Sequence, residues 1–225
     1  IWGDDVTVRD SVFADNYSAA SGGAIAAGSL TTEHTSFLRN HAVENGGAFY
    51  ASGTVRLWRS DFVDNRADGQ GGAGWIDSGS TATIDHARFR GNRAAASHGG
   101  ALRLYQSTSA VLYSSFVHNT AGEAGGAIDA YQGSLRILSS RFDGNAAGTN
   151  GGAVVSWEQS SLKVERSIWR DNIAESETGG ALREHASAVP PVIRFNIFAR
   201  NRALVGSGGA LALDAGDVLG GSGPN

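Results

Sequence analysis

Hydrophobic and polar residues alternate along short stretches that end on an aromatic residue. Val6–Phe13 reads VTVRDSVF, and Leu135–Phe142 reads LRILSSRF. Alternation with a period of two indicates a β-strand with one face buried. Glycine and asparagine separate these stretches, so we expect about two or three short strands, joined by turns, in each repeating unit.

A two-part motif recurs eight times along the chain, at intervals of 24 to 29 residues. An aromatic residue lies three positions before an asparagine, and a Gly-Gly-Ala follows. The aromatic positions are Phe13, Phe37, Phe62, Phe89, Phe116, Phe142, Trp169 and Phe198. The asparagines are Asn16, Asn40, Asn65, Asn92, Asn119, Asn145, Asn172 and Asn201. This short period and the β-like segments predict a solenoid, with one coil for each repeat.

Stacked coils bring the same position of successive repeats into contact. We therefore expect an internal aromatic stack and a ladder of asparagines whose amides bond to the coils on both sides. We place the asparagines themselves at the corners, because asparagine tolerates a left-handed backbone. The glycine pairs are expected to give the backbone freedom needed at the next corner.

The paired motifs resemble the FxxN and Gly-Gly-Ala-aliphatic repeats of polymorphic outer-membrane proteins, from Phe13 to Leu211. The resemblance implies a right-handed parallel β-helix. With eight copies, we expect one all-β domain of about eight coils over residues 1–225, open at both ends, with a Gly-rich tail at 214–225. The resemblance also implies an adhesin- or stalk-like passenger of a secreted or cell-surface bacterial protein, without catalytic activity.

The charge and composition of the chain limit the classes of partner and ligand that we expect. The net charge is −4, so no basic field for nucleic acid is expected. No apolar run reaches the ~18 residues of a membrane span, so we expect no direct membrane insertion. His34 and His86 share a column with Arg59 between them, which opposes a metal ion. We predict neither a metal nor a cofactor.

One predicted surface column of aromatic side chains suggests a role in contacting a partner. Four positions after the motif alanine, four successive repeats carry Tyr105, Tyr131, Trp157 and His185. Tyr50 and Trp75 lie two positions earlier in neighbouring repeats. We predict that this column is solvent-exposed, and these side chains are candidate contacts for a glycan or for a host or cell-surface protein. The other interpretation is an aromatic ladder that only stabilises the solenoid.

Two alternatives to a structural module remain open. A carbohydrate-binding or polysaccharide-cleaving β-helix enzyme would act near Asp77, Arg103 and Asp129, with both aspartates expected at the surface. A filament-forming subunit would stack head to tail. The chain is expected to open and close in mid-coil, so that its two half-coils together make one repeat and its ends pair with flanking coils or with another copy.

Overall fold

The structure, a computed structural model, describes residues 1–187 and 189–214. Within these residues the chain forms β-strands joined by short turns, and no helix occurs. The strands pair in parallel and stack into a solenoid, which confirms the predicted all-β fold of about eight coils. Of the predicted tail, residues 215–225 lie outside the described part of the chain.

The strands are short at the corners and long along one side of the solenoid. The first half of the chain forms β1 (Trp2–Arg9), β2 (Val12–Ala14), β3 (Tyr17–Ser18), β4 (Ile25–Glu33), β5 (Ser36–Leu38), β6 (His41–Ala42), β7 (Phe49–Ala51), β8 (Thr54–Trp58), β9 (Asp61–Val63), β10 (Arg66–Ala67), β11 (Gly74–Ile76), β12 (Thr81–Asp85), β13 (Arg88–Arg90) and β14 (Arg93–Ala94). The second half forms β15 (Leu102–Leu112), β16 (Ser115–Val117), β17 (Thr120–Ala121), β18 (Ile128–Leu138), β19 (Arg141–Asp143), β20 (Ala146–Ala147), β21 (Val154–Glu165), β22 (Ile168–Arg170), β23 (Ile173–Ala174), β24 (Leu182–His185), β25 (Val192–Arg194), β26 (Ile197–Ala199), β27 (Arg202–Ala203) and β28 (Leu211–Ala212).

Three sheets run along the solenoid. Sheet B contains, in spatial order, β2, β5, β9, β13, β16, β19, β22 and β26, and sheet C contains β3, β6, β10, β14, β17, β20, β23 and β27. Sheet A contains the remaining 12 strands. Each coil contributes one strand to sheet B, so we number the coils 1 to 8 in that order. Strands β1, β4, β15, β18 and β21 cross the whole of sheet A, whereas coils 3, 4 and 8 divide this path between two strands.

The motif aromatics form one continuous stack inside the solenoid. Sheet B pairs Phe13 with Phe37, and each later aromatic with the next. Ring centroids of neighbours are 4.1 to 5.6 Å apart, and their planes are within 17° of parallel. The interior members, from Phe37 to Trp169, are fully buried. Each ring therefore exchanges contact with water for contact with two other rings, which anchors the core.

The motif asparagines form a hydrogen-bonded ladder beside this stack. The backbone amide and Nδ2 of Asn119 both donate to Oδ1 of Asn145, each at 3.0 Å. Nδ2 of Asn119 also donates to the Phe89 carbonyl at 3.1 Å. Oδ1 of Asn119 accepts the amide and Nδ2 of Asn92 in the same way. Equivalent bonds run from Asn16 to Asn201, so each interior carboxamide joins three coils.

The left-handed backbone positions fall one residue earlier than predicted. The residue before each ladder asparagine has a positive φ, for example 57° at Asp15, 51° at Arg39 and 53° at His118, whereas no ladder asparagine has one. The prediction that asparagine itself adopts the left-handed conformation is therefore wrong. The asparagine amide must point along the solenoid to reach the next carboxamide, so the bend is made at the exposed residue before it.

Glycine is needed at the other corner for two reasons. The first glycine of each pair has a positive φ, such as 67° at Gly125, where an added Cβ would also overlap the Ile128 carbonyl. Gly74, which replaces the usual aliphatic residue after Gly-Gly-Ala, is buried against Phe49. A Cβ there would overlap the ring of Phe49, which occupies the space of the missing side chain. Core volume is thus conserved between neighbouring coils.

The first coil is more complete than the sequence predicts. Trp2 and Gly3 pair with Ala26 and Ala27, so β1 already crosses the whole of sheet A. At the other end, β28 pairs with β24 and begins a ninth layer of sheet A. The expectation that the two ends add up to one repeat is therefore wrong, because a strand can fill the first layer without the Gly-Gly-Ala that precedes the others.

Candidate functional site

The six candidate contact residues lie in two adjacent columns on the outer side of sheet A. In the first column, Tyr50 pairs with Trp75, and the column continues through Arg103 and Asp129. The second column contains Tyr105, Tyr131, Trp157 and His185 in register on coils 5 to 8. We call the side chains of these two columns the aromatic face.

The rings of the aromatic face pack against one another. Tyr105 and Tyr131 are stacked, with centroids 5.5 Å apart and planes 10° from parallel. Trp75 tilts against Tyr105 at 6.1 Å, and Trp157 meets the edge of His185 at 5.2 Å. All are half-buried rather than exposed. The stacked ring surfaces cover each other, so Tyr105 and Tyr131 offer their edges and hydroxyl groups to a ligand more than their faces.

A buried ion pair lies beneath the rings. The Arg103 guanidinium contacts the Asp129 carboxylate, and the side chains are 9% and 0% exposed. The Arg103 Cζ atom is 5.7 Å from the centroid of the Tyr105 ring and 5.5 Å from that of Tyr131. The prediction that Asp129 is a surface residue is therefore wrong. Two tyrosine rings cover one side of the pair and exclude water from it.

Sequence reasoning missed the two residues on the other side of this pair. His98 Nδ1 lies 3.1 Å from Asp129 Oδ2, and His98 Nε2 lies 2.9 Å from Glu123 Oε2. Both residues belong to the segments before Gly-Gly-Ala, which differ in length between coils. Counting back from Gly-Gly-Ala aligns Glu123 with Ser97 and Ala124 with His98, so no sequence column joins His98 to Glu123.

At each end of the aromatic face, along the solenoid axis, an aspartate carboxylate accepts hydrogen bonds from neighbouring donors. At coils 3 and 4, the Tyr50 hydroxyl donates to the Asp77 carboxylate. Burial and this carboxylate raise the pKa of Tyr50 to about 12. At the far end, Asp214 Oδ1 lies 2.7 Å from Arg183 Nη2 and Oδ2 accepts the Ala186 amide at 2.8 Å. Burial alone would raise the pKa of Asp214, but these donors hold it below its ordinary value.

Of the three residues of the enzymatic alternative, the structure brings together Arg103 and Asp129 but not Asp77. Asp129 is sealed against Arg103 and has no exposed surface, whereas Asp77 contacts Tyr50. Two coils separate the aspartates along the solenoid, about 10 Å at ~4.8 Å per coil. A pair of acids that cleaves a glycosidic bond needs both groups open to the substrate. This arrangement does not supply such a pair.

Several charges on the other sides of the solenoid form ion pairs between neighbouring coils. The Arg39 guanidinium donates to both carboxylate oxygens of Asp15, at 2.8 and 2.7 Å. These hydrogen bonds hold the pKa of Asp15 below its ordinary value. Among the described residues no cluster of three or more His, Cys, Asp or Glu side chains could hold a metal ion. That part of the chain also contains no helix of membrane-spanning length and apolarity.

Comparison with models of known protein families gave a match to one short segment of the chain. Residues 10–28 match the family model of the Chlamydia polymorphic membrane protein (Chlamydia_PMP) repeat. This segment contains Phe13, Asn16 and Gly22–Ile25, the first copy of the motif. No curated protein and no solved structure matches the chain. The matched repeat and the solenoid together fit a parallel β-helix of the polymorphic-membrane-protein type, a repeat found in surface-protein structural modules.

Proposed function

We propose that the chain is an adhesin- or stalk-like segment of a secreted or cell-surface protein. The observation that carries this proposal is the continuous register of the aromatic and asparagine columns through all eight coils. Asparagine and aromatic columns bond each coil to both neighbours, which gives a stiff rod of about 40 Å at ~4.8 Å per coil. A stiff rod suits a protein that must hold a contact surface away from its anchor.

The aromatic face is the contact surface of this proposal. Tyrosine and tryptophan supply large contact area at small entropic cost, and their polar edges can bond to a glycan or a protein. The Arg103–Asp129 pair fixes Tyr105 and Tyr131 from below. A preorganised surface loses little conformational entropy when a partner binds.

Binding of the protein to host cells and to a glycan panel tests this surface. The double variant Tyr131→Ala/Trp157→Ala should bind less than wild type while keeping the wild-type circular dichroism spectrum. Tyr113→Ala/Trp58→Ala is the matched control, because those side chains are 52% and 36% exposed outside the aromatic face. Unchanged binding by the first double variant would remove the aromatic face as a contact, and release of reducing sugars from a polysaccharide would support the enzymatic alternative.

A second proposal is association through the ends. Among the described strands, β2 and β26 each pair on one side only within sheet B. Their exposed apolar side chains include Val12 and Ile197. A flanking coil or a second copy would cover these edges. A second copy stacked in register must displace β28, because β28 occupies the layer that the incoming Trp2 and Gly3 need. Sedimentation velocity tests this: a monomer at every concentration argues against it.

A further inference from the structure

A groove of about 480 Å³ crosses the outer side of sheet B between coils 3 and 5. It lies on a different sheet from the aromatic face. Arg88 and Arg90 of β13 project into it, and Ser115, Val117 and His118 line the side formed by coil 5. The volume falls within the ~300–1,000 Å³ of small-molecule sites.

One of the two arginines has no counter-ion. The Arg88 guanidinium donates to both carboxylate oxygens of Asp61, each at 2.6 Å, and is thereby neutralised. Arg90 is exposed, and its guanidinium makes no ion pair or hydrogen bond with any described residue. The uncharged side chains Val63 and Val117 flank it on the two neighbouring coils. The groove therefore carries one guanidinium that is not engaged in an ion pair, in a chain whose net charge is −4.

The form of the groove favours a saccharide over a peptide strand. Strand β13 is paired on both sides, with β9 and β16, so its backbone offers no free edge for strand addition. Among the described residues that line the groove, none is an exposed Phe, Tyr or Trp that could anchor a peptide. What it offers is the Ser115 hydroxyl, the His118 ring and the aliphatic surfaces of Val63 and Val117. These groups suit a ligand with many hydroxyl groups and small apolar patches.

We propose that this groove binds a carboxylate-bearing saccharide, with the Arg90 guanidinium as the principal contact. The planar guanidinium presents two parallel N–H groups that match the two oxygens of a sugar carboxylate. Ser115 and His118 bond to hydroxyl groups of the same sugar ring, which lies over Val117. The site is separate from the aromatic face, so the two can be tested independently.

Calorimetric titration of the full chain tests the proposal. The probes are a tetrasaccharide that contains glucuronic acid, neutral chitotetraose and a tetraglutamate peptide. Arg90→Gln should weaken binding of the acidic tetrasaccharide on the order of tenfold or more. Arg93→Gln is the matched control, because Arg93 is exposed on the same coil, has no ion pair with a described residue and lies outside the groove.

The proposal predicts that wild type binds the acidic tetrasaccharide more tightly than the neutral one, and that Arg90→Gln removes this preference whereas Arg93→Gln keeps it. Equal weakening by Arg93→Gln would show diffuse attraction instead of a site and would overturn it. The proposal would also be overturned if wild type did not bind the acidic tetrasaccharide, or if it bound the tetraglutamate peptide more tightly than that saccharide. If Arg90→Gln lowers the unfolding midpoint, Arg90→Lys replaces it. That variant keeps the positive charge but lacks the planar guanidinium with its two parallel N–H groups. It should therefore bind the acidic tetrasaccharide more weakly than wild type does.

Discussion

Removing one interior rung of the asparagine ladder should destabilise the solenoid far more than removing its first rung. Asn119→Ala deletes the acceptor of the Asn92 backbone amide and the Nδ2 donor to the Phe89 carbonyl. Each buried polar group left unpaired costs about 1–3 kcal/mol, so these two groups together cost about 2–6 kcal/mol. Asn16 is exposed, and its side chain makes one such bond, to Oδ1 of Asn40. Asn16→Ala should therefore cost about 1 kcal/mol or less.

Thermal and urea unfolding of the two variants measure this difference. For a domain of this length, 2–6 kcal/mol corresponds to a melting temperature lower by about 4–24 °C. A double-mutant cycle supplies the control. Asn92→Ala and Asn119→Ala share bonds and should couple by about 0.5–3 kcal/mol, whereas Asn40→Ala and Asn172→Ala are five coils apart and should be additive. Equal losses for Asn119→Ala and Asn16→Ala, or additive losses for the neighbouring pair, would refute the ladder as a source of stability.

Three further substitutions test the corners and the aromatic face. Gly125→Ala combines backbone strain with overlap on a carbonyl and should lower the free energy of unfolding in urea by about 2–5 kcal/mol. Gly79→Ala is its control, because Gly79 also has a positive φ but open space around it. This control should lower the free energy of unfolding by only about 1–2 kcal/mol. Equal losses of stability for the two variants would contradict the overlap at Gly125. Asp129→Asn leaves the buried Arg103 guanidinium uncompensated and should cost about 3–5 kcal/mol by the same assay, and a loss below 1 kcal/mol would show that the pair is not sealed from water. The folded pKa of Tyr50 is raised to about 12 from 10.0, so stability present below pH 10 should be lost between pH 10 and 12. That loss should be smaller in Tyr50→Phe, and identical pH profiles would exclude Tyr50 as its source.

The repeat was the most informative part of the sequence. Period-two alternation marks which side chains face the core, and a fixed distance between Phe, Asn and Gly-Gly-Ala requires one coil per motif. Parallel stacking then forces equal positions into columns, because each coil sits directly on the last. For this reason the sequence alone predicted the solenoid and the stacked aromatics from Phe13 to Phe198. It also predicted the register of the second column of the aromatic face, which contains Tyr105, Tyr131, Trp157 and His185.

Side-chain surroundings depended on the tertiary structure. Asp129 follows the outward alternation of its strand, yet it is buried, because Tyr131 of the same strand and Arg103 and His98 from outside that strand close over it. The length of each loop decides whether a residue such as His98 reaches that pair, and loop lengths vary where the motif does not. The sequence by itself determined which residues share a column. Only the tertiary structure decided which side chains of adjacent columns pack together and bury a charge. This packing depends on contacts between columns, and the period of the sequence does not encode those contacts.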